Sequence, residues 1–335
     1  MKKTIVPENY QSTLGNYETQ TAIGFIKRCF EEALTGSLKL KRVSAPLFVS
    51  HNSGLNDDLS GVERPVSFDI PALEGERGEV VHSLAKWKRK ALYDYDFREG
   101  NGLYTDMNAI RRDEVLDNLH SIYVDQWDWE RVITEEQRTI DYLKKTVCDL
   151  VNAIVETSSR LHTKYPSVDV IIDSKVSFVT SQELEDMYPN LSSKEREDAY
   201  VKEHPTTFIL QIGGALKSGE PHDMRAPDYD DWSLNGDLLF WHEPLQCAME
   251  LSSMGIRVDK EALLSQLEIR GAMSRLEYEF HSMIVDGTLP LTIGGGLGQS
   301  RMCMLLLGKA HIGEVQVSLW DKETLDACKG KIPLL

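Results

Sequence analysis

The sequence predicts an α+β fold in which helices flank an antiparallel β-sheet. Strand-like segments occur as neighbouring pairs along the chain, as is typical of antiparallel hairpins, and long amphipathic helices precede and follow them. No internal repeat or low-complexity tract interrupts this order. With 335 residues and a hydrophobic fraction of 41%, the chain can fill a substantial core. We therefore expect residues 1–335 to form one domain.

The first hundred residues begin with a helix at 17–37, where apolar side chains recur at helical spacing. Residues 38–50 are strand-like but are interrupted by Pro46. The stretch 52–78 is rich in glycine, proline and charge, which predicts a loop or a short hairpin, and residues 79–92 are predicted to form a helix.

The middle of the chain is predicted to contain a long antiparallel hairpin, with strands at 102–111 and 121–132 joined by a charged turn. Residues 134–163 follow as a strongly amphipathic helix. The remaining predicted elements are strands at 168–179 and 206–212, a short helix at 192–203, an antiparallel pair at 234–241 and 248–258, a helix at 260–285, and a strand or turn leading into a helix at 291–307.

Charge and composition limit the possible partners and location. Lys and Arg number 37 against 53 Asp and Glu, and the resulting net charge of −16 repels polyanions, so we expect no nucleic-acid partner. No apolar run is long enough for a membrane span or a signal peptide. The five cysteines are scattered and form no CxxC pair, which fits a reducing compartment. The expected location is the cytoplasm.

Residues 294–307, GGGLGQSRMCMLLL, combine three consecutive glycines with the start of a helix. Glycines allow close approach of the backbone to other groups, and the N-terminal amides of a helix favour an anion. Arg301 lies in the first turns of this helix, so the segment could hold a phosphate. The alternative is a glycine-rich turn with a surface arginine.

The predicted hairpin at 102–132 has one polar face. Arg111 ends its first strand, and Gln126, Asp128 and Glu130 alternate with two tryptophans along its second strand. Such a face could hold an ammonium group beside a phosphate, with the arginine on the phosphate. A solvated face of the sheet would explain the same alternation.

Asp237 and Glu250 fall on the two strands of the next pair, where two carboxylates could share Mg²⁺ with nucleotide phosphates. Two ordinary surface acids are the alternative. Arg257 follows Glu250 by seven positions, and strict alternation places their side chains on opposite faces. Both can serve one site only if Gly255 hosts a β-bulge, which is a structural prediction.

Several further residues are weaker candidates. Lys88 and Ser83, in HSLAKWKRKAL, could bind a carboxylate and donate a hydrogen bond, although a basic helix face is the simpler explanation. Asp57 lies in the early loop, where most aspartates cap turns. Asp230 belongs to the acidic cluster PDYDDW, which is typical of an exposed loop.

Taken in order, these motifs resemble the catalytic domain of class II aminoacyl-tRNA synthetases, especially the aspartyl and asparaginyl enzymes. RVSAPLF, the stretch from Arg111 through DQWDWE, and GGGLGQSR are similar to the three class-defining motifs, the first of which is a dimer element. The resemblance covers nearly the whole chain. It implies a class II synthetase-type antiparallel sheet flanked by helices.

The longer strings HSLAKWKR, YVDQWDWERV, RAPDYDDWS and ELSSMGIRVD resemble the aspartate–ammonia ligases, which use ammonia on a synthetase-type catalytic domain. The resemblance implies a homodimer that converts L-aspartate, ammonia and ATP to L-asparagine through β-aspartyl-AMP, with Mg²⁺ and release of AMP and diphosphate. The chain also has no room for an added anticodon-binding domain of about a hundred residues, so we expect no tRNA charging.

The resemblance also implies roles for individual residues. These are Arg111 and Arg301 on the ATP phosphates, Glu114 on the adenine side, Asp237 and Glu250 on Mg²⁺, Lys88 and Arg257 on the α-carboxylate, Gln126 and Asp128 on the α-ammonium, Ser252 among the aspartate-binding residues, and Asp57, Ser83 and Asp230 on ammonium, with Asp57 as its base.

Two alternatives stay open at this point. The second motif has RRDE where the tRNA-charging relatives have arginine, one residue and glutamate. Either Arg111 or Arg112 could therefore take the phosphate-binding role, and the contact of Glu114 with the adenine side is open for the same reason. A truncated synthetase or a silent paralogue would share the fold. The silent paralogue is disfavoured because the candidate site residues are intact.

Overall fold

The computed structural model describes residues 4–57, 59 and 63–335. Its strands are β1 (Leu40–Arg42), β2 (Phe48–Ser50), β3 (Ser67–Ile70), β4 (Glu76–Val80), β5 (Gly102–Ile110), β6 (Tyr123–Val132), β7 (Ser177–Thr180), β8 (Thr206–Leu210), β9 (Asp230–His242), β10 (Cys247–Arg257) and β11 (Thr292–Gly298). Its α-helices are α1 (Asn16–Leu38), α2 (Ala85–Asp94), α3 (Ile140–Lys164), α4 (Ser181–Met187), α5 (Ser193–Glu203), α6 (Lys260–Ile269), α7 (Glu279–Val285), α8 (Gln299–Leu306) and α9 (Lys322–Cys328).

The larger sheet within the described residues has eight strands in the order β1-β5-β6-β11-β10-β9-β8-β7. Only the two edge pairings, β1 with β5 and β7 with β8, are parallel. Strands β2, β4 and β3 form a separate antiparallel sheet. The predicted fold class, an antiparallel sheet flanked by helices, is confirmed. The single domain over 1–335 stays a prediction, supported by a sheet whose strands come from residues 40 to 298.

The main core lies between one face of the large sheet and helices α1, α3 and α8. Trp127 and Trp129 point into it from β6 and are fully buried, and the ring centroid of Phe30 on α1 lies 4.7 Å from that of Trp127. Because side chains alternate along a strand, Gln126, Asp128 and Glu130 must point to the opposite face. The core thus fixes which face of the sheet carries the polar residues.

The predicted helix at 79–92 begins too early. Residues Glu76–Val80 form β4, which pairs with β2 and β3, and α2 begins only at Ala85. Ladder hydrogen bonds to two neighbouring strands outweigh the weak local preference for helix. The predicted loop or hairpin at 52–78 contains β3, while its residues 58 and 60–62 lie outside the described part.

Other predicted boundaries are also corrected. The single helix at 260–285 is two helices, because Gly271 between α6 and α7 has a φ of +63°, which ends a right-handed helix. The strand-like stretch 38–50 is divided between the two sheets, as expected from Pro46. Of the predicted strand 168–179, only the last part pairs, as β7. The helix predicted at 134–163 begins at Ile140, where Thr139 caps it.

None of the helices found in residues 4–57 and 63–335 combines the length and apolarity that crossing a bilayer requires. Within the described residues, Cys29, Cys148, Cys303 and Cys328 are free thiols.

Candidate active site

A cavity of about 530 Å³ lies over the polar face of the large sheet. Its walls come from the loop containing Asp57, from α2, from β6, β10 and β11, and from the start of α8. A volume of this size suits a nucleotide or a comparable ligand. Most of the predicted site residues therefore meet in one cavity, although they come from distant parts of the chain.

The glycines of β11 make room for the polar side chains of β6. Gly294 pairs with Glu130 and Gly296 with Asp128. A Cβ atom on Gly294 would lie 2.0 Å from Oε2 of Glu130, and one on Gly296 would lie 2.3 Å from Oε1 of Gln126. Any larger residue at either position would displace these polar groups, which explains the glycine run in physical terms.

Arg257 lies in the floor of the cavity and is buried. Its Nε and Nη2 donate to the Glu130 carboxylate at 3.0 and 2.7 Å, and its Nη1 donates to Asp230. Burial raises the pKa of Asp230 despite Arg257. For Glu130, burial acts in the same direction, but the charge and hydrogen bonds of Arg257 outweigh it and lower the pKa. One guanidinium thus holds two buried carboxylates.

The expected bulge on β10 is present, but it lies at Leu251 and not at Gly255. Glu250 pairs with Leu239 and Ser252 with the next residue of β9, Leu238, so Leu251 is the extra residue. Gly255 pairs with Gly294 in a regular register, and the register shift that follows it adds residues to β9. The bulge at Leu251 allows Glu250 and Arg257, seven residues apart, both to line the cavity.

Lys88, on α2, is the second buried cation of the floor, with a side chain only 1% exposed. Its Nζ lies 2.8 Å from Oδ1 of Asp128 and 2.9 Å from the carbonyl oxygen of Gly295. The backbone N–H of Leu84 donates to the other oxygen of Asp128 at 3.3 Å. The floor therefore contains two charged groups, Lys88 with Asp128 and Arg257 with its two carboxylates, and Gln126 also lines the cavity.

The turn after β5 brings Arg111, Arg112 and Glu114 to the cavity. Arg112 is exposed, whereas Arg111 is partly buried and its Nε is enclosed without a hydrogen-bond partner in the described part of the chain. The neighbouring Asp113 is held by Arg64, whose hydrogen bonds lower its pKa to about 2. Of the two competing arginines, Arg111 has the geometry expected for a ligand.

Arg301 reaches the cavity from the first turn of α8, as predicted. Its Nη1 donates to the backbone oxygen of Glu250 at 2.9 Å and lies 3.9 Å from Oε2 of the same residue. The Glu250 side chain is 42% exposed and also lines the cavity. The backbone oxygen of Glu250 thus orients the guanidinium of Arg301, which remains accessible from the cavity.

Asp237, on β9, does not line the cavity itself. It is paired with Arg225, a residue that the sequence motifs did not single out. Burial raises the pKa of Asp237 to about 7 although Arg225 opposes the shift, and the negative charges of Glu250 and Asp223 add to it. One oxygen of Asp237, Oδ1, is buried without a partner among the described residues. Three carboxylates, those of Asp237, Glu250 and Asp223, thus act on one another here, with Arg225 as the paired cation.

Asp57 and Ser83 lie in another wall of the cavity. Asp57 is buried, and its Oδ1 accepts from the backbone N–H of Leu59 at 2.9 Å. The hydroxyl of Ser83 accepts from the N–H of Ala85 at 3.3 Å, next to the start of α2. Ser252 is not part of the cavity wall. Its hydroxyl donates to the carbonyl oxygen of Gly296 at 2.9 Å. Its assigned role stays a prediction, and its neighbour Ser253 lines the cavity instead.

The sequence did not predict an individual role for three residues at the site. Glu130 was seen only as one position in an alternating strand, Arg225 only as a letter in RAPDYDDWS, and His82 only as the start of HSLAKWKR. Arg225 and His82 each stand at the first position of a string that also contains predicted site residues, and this position is the signal in the sequence that points to them.

The large sheet and its cavity define the class of protein. The chain resembles the asparaginyl-tRNA synthetase of Pyrococcus horikoshii solved with asparaginyl-adenylate, with a TM-score of 0.65 and 14% identity, over 89% of this chain and 68% of that one. It also resembles the aspartyl-tRNA synthetase of Entamoeba histolytica, with a TM-score of 0.57 and 16% identity, over 92% of this chain and 58% of the other. At this identity the likeness concerns the fold, which is that of a class II synthetase catalytic domain.

The family follows from the sequence. A sequence model of aspartate–ammonia ligase matches residues 17–332. Relatives named aspartate–ammonia ligase are 56% identical over 329 residues in Clostridium perfringens, covering 98% of both chains, and 58% identical over 320 residues in Bacillus mycoides, covering 96% of this chain and 98% of the relative. The chain belongs to the aspartate–ammonia ligase family of enzymes, as its motifs indicated.

Proposed function

We propose that this enzyme forms L-asparagine from L-aspartate and ammonia with ATP, through β-aspartyl-AMP, and releases AMP and diphosphate. One observation carries the proposal. A single cavity holds two buried cations, Lys88 and Arg257, and two more accessible ones, Arg111 and Arg301. The buried cations suit the small carboxylate substrate, and the accessible ones suit the larger nucleotide.

In the first step, an oxygen of the β-carboxylate attacks the α-phosphorus of ATP, and the bond to diphosphate breaks. Little covalent chemistry falls to the protein, so charge stabilisation and positioning dominate. Arg111 and Arg301 neutralise the negative charge that develops on the phosphates. We assign Glu114, which also lines the cavity, to the adenine side of the nucleotide.

The floor of the cavity selects aspartate. Lys88 and Arg257 bind the α-carboxylate that is not activated, and Gln126 and Asp128 accept hydrogen bonds from the α-ammonium group. This arrangement leaves the β-carboxylate directed toward the nucleotide. Asp230 and Glu130 hold Arg257 in place through their hydrogen bonds.

In the second step, ammonia attacks the β-acyl carbon, the new C–N bond forms, and the bond to the AMP oxygen breaks. Ammonium must first lose a proton, because its lone pair is otherwise occupied. Asp57 and Asp230 offer negative charge that attracts the cation, and Ser83 offers a hydroxyl beside them. Asp57 is one candidate for the group that accepts the proton.

Mg²⁺ fits this site, and we propose Glu250 and Asp237 as its holders. Glu250 presents an accessible carboxylate to the cavity, and Oδ1 of Asp237, which has no partner in the described part of the chain, lies near the further negative charges of Glu250 and Asp223. No set of three His, Cys, Asp or Glu side chains in the described ranges could hold a metal alone. Nucleotide phosphates would complete the shell, as is usual for Mg²⁺, and the ion would supply positive charge to them.

We further propose a cytoplasmic homodimer that binds no nucleic acid. The free thiols are compatible with a reducing compartment, and the net charge of −16 disfavours RNA. Exposed apolar side chains at Tyr17, Leu47 and Phe48 lie on α1 and the RVSAPLF segment, where the resemblance implies the dimer contact. Sedimentation equilibrium should give the mass of two chains.

The test of the function is a direct assay. Enzyme, ATP, Mg²⁺, L-aspartate and ammonium are mixed without tRNA, and asparagine, AMP and diphosphate are measured. All three should appear in equal amounts and depend on aspartate. Formation of ADP instead of AMP, or no asparagine in the presence of every substrate, would overturn the proposal.

A further inference from the structure

His82 lies in the turn between β4 and α2, in the wall of the cavity that also contains Asp57, and it is buried. Its Nδ1 lies 3.0 Å from the backbone oxygen of Asp57. A carbonyl oxygen only accepts hydrogen bonds, so Nδ1 carries the proton in this contact. In the singly protonated ring, Nε2 therefore presents a lone pair.

The Nε2 atom is buried and has no hydrogen-bond partner among the described residues. Buried polar atoms are nearly always paired, because leaving one unpaired costs the energy of its lost hydration. An unpaired acceptor in the wall of a substrate cavity suits a ligand that donates hydrogen bonds. Ammonium carries only donors, which makes it the best match among the proposed substrates.

We propose that His82 binds ammonium through Nε2 and takes its proton before the attack on β-aspartyl-AMP. This inference rests on the proposed function. Asp57 then keeps the cation nearby by its charge, and its backbone oxygen fixes the tautomer of His82. The base expected at Asp57 from the sequence is thus assigned to its hydrogen-bonded neighbour.

The proton balance is complete without a further reactant. Ammonium gives one proton to Nε2 and becomes ammonia, whose lone pair forms the C–N bond as the bond to the AMP oxygen breaks. The nitrogen loses a second proton on becoming the amide, and the phosphate of the departing AMP or solvent accepts it. The imidazolium returns its proton to solvent before the next turnover.

An imidazole suits this task better than a carboxylate. A base works best when its pKa lies near the operating pH, and the ordinary pKa of imidazole lies near neutrality whereas that of a carboxylate lies lower by more than two units. A carboxylate in the same wall remains useful because it attracts the cation.

The test compares two nucleophiles in two variants. In His82→Asn, the amide N–H can still donate to the Asp57 backbone oxygen, but the acceptor at Nε2 is lost. In His82→Gln, an amide oxygen can take the place of Nε2 and accept a hydrogen bond, although it cannot take a proton. His162→Asn is the matched control, because His162 also donates from Nδ1 to a backbone oxygen, at 3.0 Å, but lies exposed outside the cavity.

Each variant is assayed with ammonium and with hydroxylamine, which is largely unprotonated at neutral pH. We expect His82→Asn to lower kcat/KM for ammonium by about 10²-fold or more, the usual contribution of a general base, and to lower that for hydroxylamine much less. His82→Gln should restore part of the KM for ammonium while kcat stays low. His162→Asn should match the parent enzyme with both nucleophiles.

Two results would overturn the proposal. If His82→Asn keeps its activity with ammonium, the base is elsewhere, with Asp57 the next candidate. If both nucleophiles lose activity equally, His82 only supports the Asp57 loop. Failure of the proposed function is a separate outcome, because the parent enzyme would then form no asparagine from aspartate and ammonium.

Discussion

Arg257 and Glu130 form a two-pronged ion pair in the floor of the cavity, with Nε and Nη2 of the arginine 3.0 and 2.7 Å from the two carboxylate oxygens. Both side chains are buried, and the hydroxyl of Thr292 donates to the same carboxylate at 2.7 Å. A buried charge is tolerated only when it is paired and hydrogen-bonded. This pair fixes the orientation of the guanidinium that we propose for the aspartate α-carboxylate.

Glu130→Ala should strongly destabilise the protein. It leaves Arg257 with Asp230 alone and removes a hydrogen-bond acceptor from Thr292, and breaking a buried ion pair typically costs about 3–5 kcal/mol. Urea unfolding should show a fall of this size in the free energy of unfolding. Glu99→Ala, at an exposed position, is the control and should change it by less than about 0.5 kcal/mol. A similar small change for both variants would contradict the assigned structural role.

Arg301→Gln should lower the rate of aspartate-dependent exchange of diphosphate into ATP by about 10²-fold or more, because it removes a positioned donor to the phosphates. Arg98→Gln, whose side chain is 77% exposed, serves as the control. Normal exchange in the Arg301 variant would exclude its contact with the reacting phosphates.

Substitutions of the two neighbouring arginines, Arg111 and Arg112, should lower the rate of the same exchange reaction to different extents. Arg111→Gln should be as harmful as the Arg301 change, because Arg111 is partly buried beside the cavity and its Nε has no partner in residues 4–57, 59 and 63–335. Arg112→Gln should cost only a few-fold in rate, since Arg112 is exposed. The opposite ranking would assign the second-motif role to Arg112.

Lys88→Met should raise the KM for aspartate. It deletes a buried cation and leaves Asp128 without its partner at 2.8 Å, and a hydrogen bond to a charged group contributes about 1.5–3 kcal/mol. The expected increase is roughly 10- to 100-fold, with the KM for ATP much less affected. Lys90→Met, on the same helix but outside the cavity wall, should leave both constants near those of the parent.

Asp228 should contribute to the free energy of unfolding at neutral pH, and this contribution should fall at acid pH. It accepts hydrogen bonds from Lys86, Arg275 and His281 at 3.2, 2.7 and 2.9 Å. Burial alone would raise the pKa of Asp228, but these neighbours hold it well below its usual range. Because the pKa is lower in the folded state, the stabilisation is present above about pH 4, the unfolded value, and is lost as the pH falls.

Asp228→Asn should therefore lower the Tm at pH 7, and its difference from the parent should shrink below about pH 4. Thermal unfolding followed by circular dichroism at several pH values checks this. Asp94→Asn, at an exposed helix end, should show no such pH-dependent difference. A gap between parent and Asp228→Asn that stays constant down to pH 3 would contradict the assignment.

Local patterns were enough to predict much of the molecule. The alternation in YVDQWDWERV predicted β6 with one polar face, because side-chain direction in a strand follows from the backbone alone. The seven-residue spacing in ELSSMGIRVD predicted a bulge on β10, and the register confirms one, but at Leu251 rather than at the predicted Gly255. Helix boundaries were less accurate, since β4 exists only through its pairing with two other strands.

The sequence by itself determined the family, the central sheet and most of the polar residues that face the cavity, because these depend on motifs and on short-range periodicity. Only the tertiary structure decided how those residues are paired. Glu130 and Arg257 are 127 positions apart, and the contact of His82 with the Asp57 backbone depends on how an irregular loop folds back. Such contacts arise from the packing of whole elements, and no local spacing specifies them.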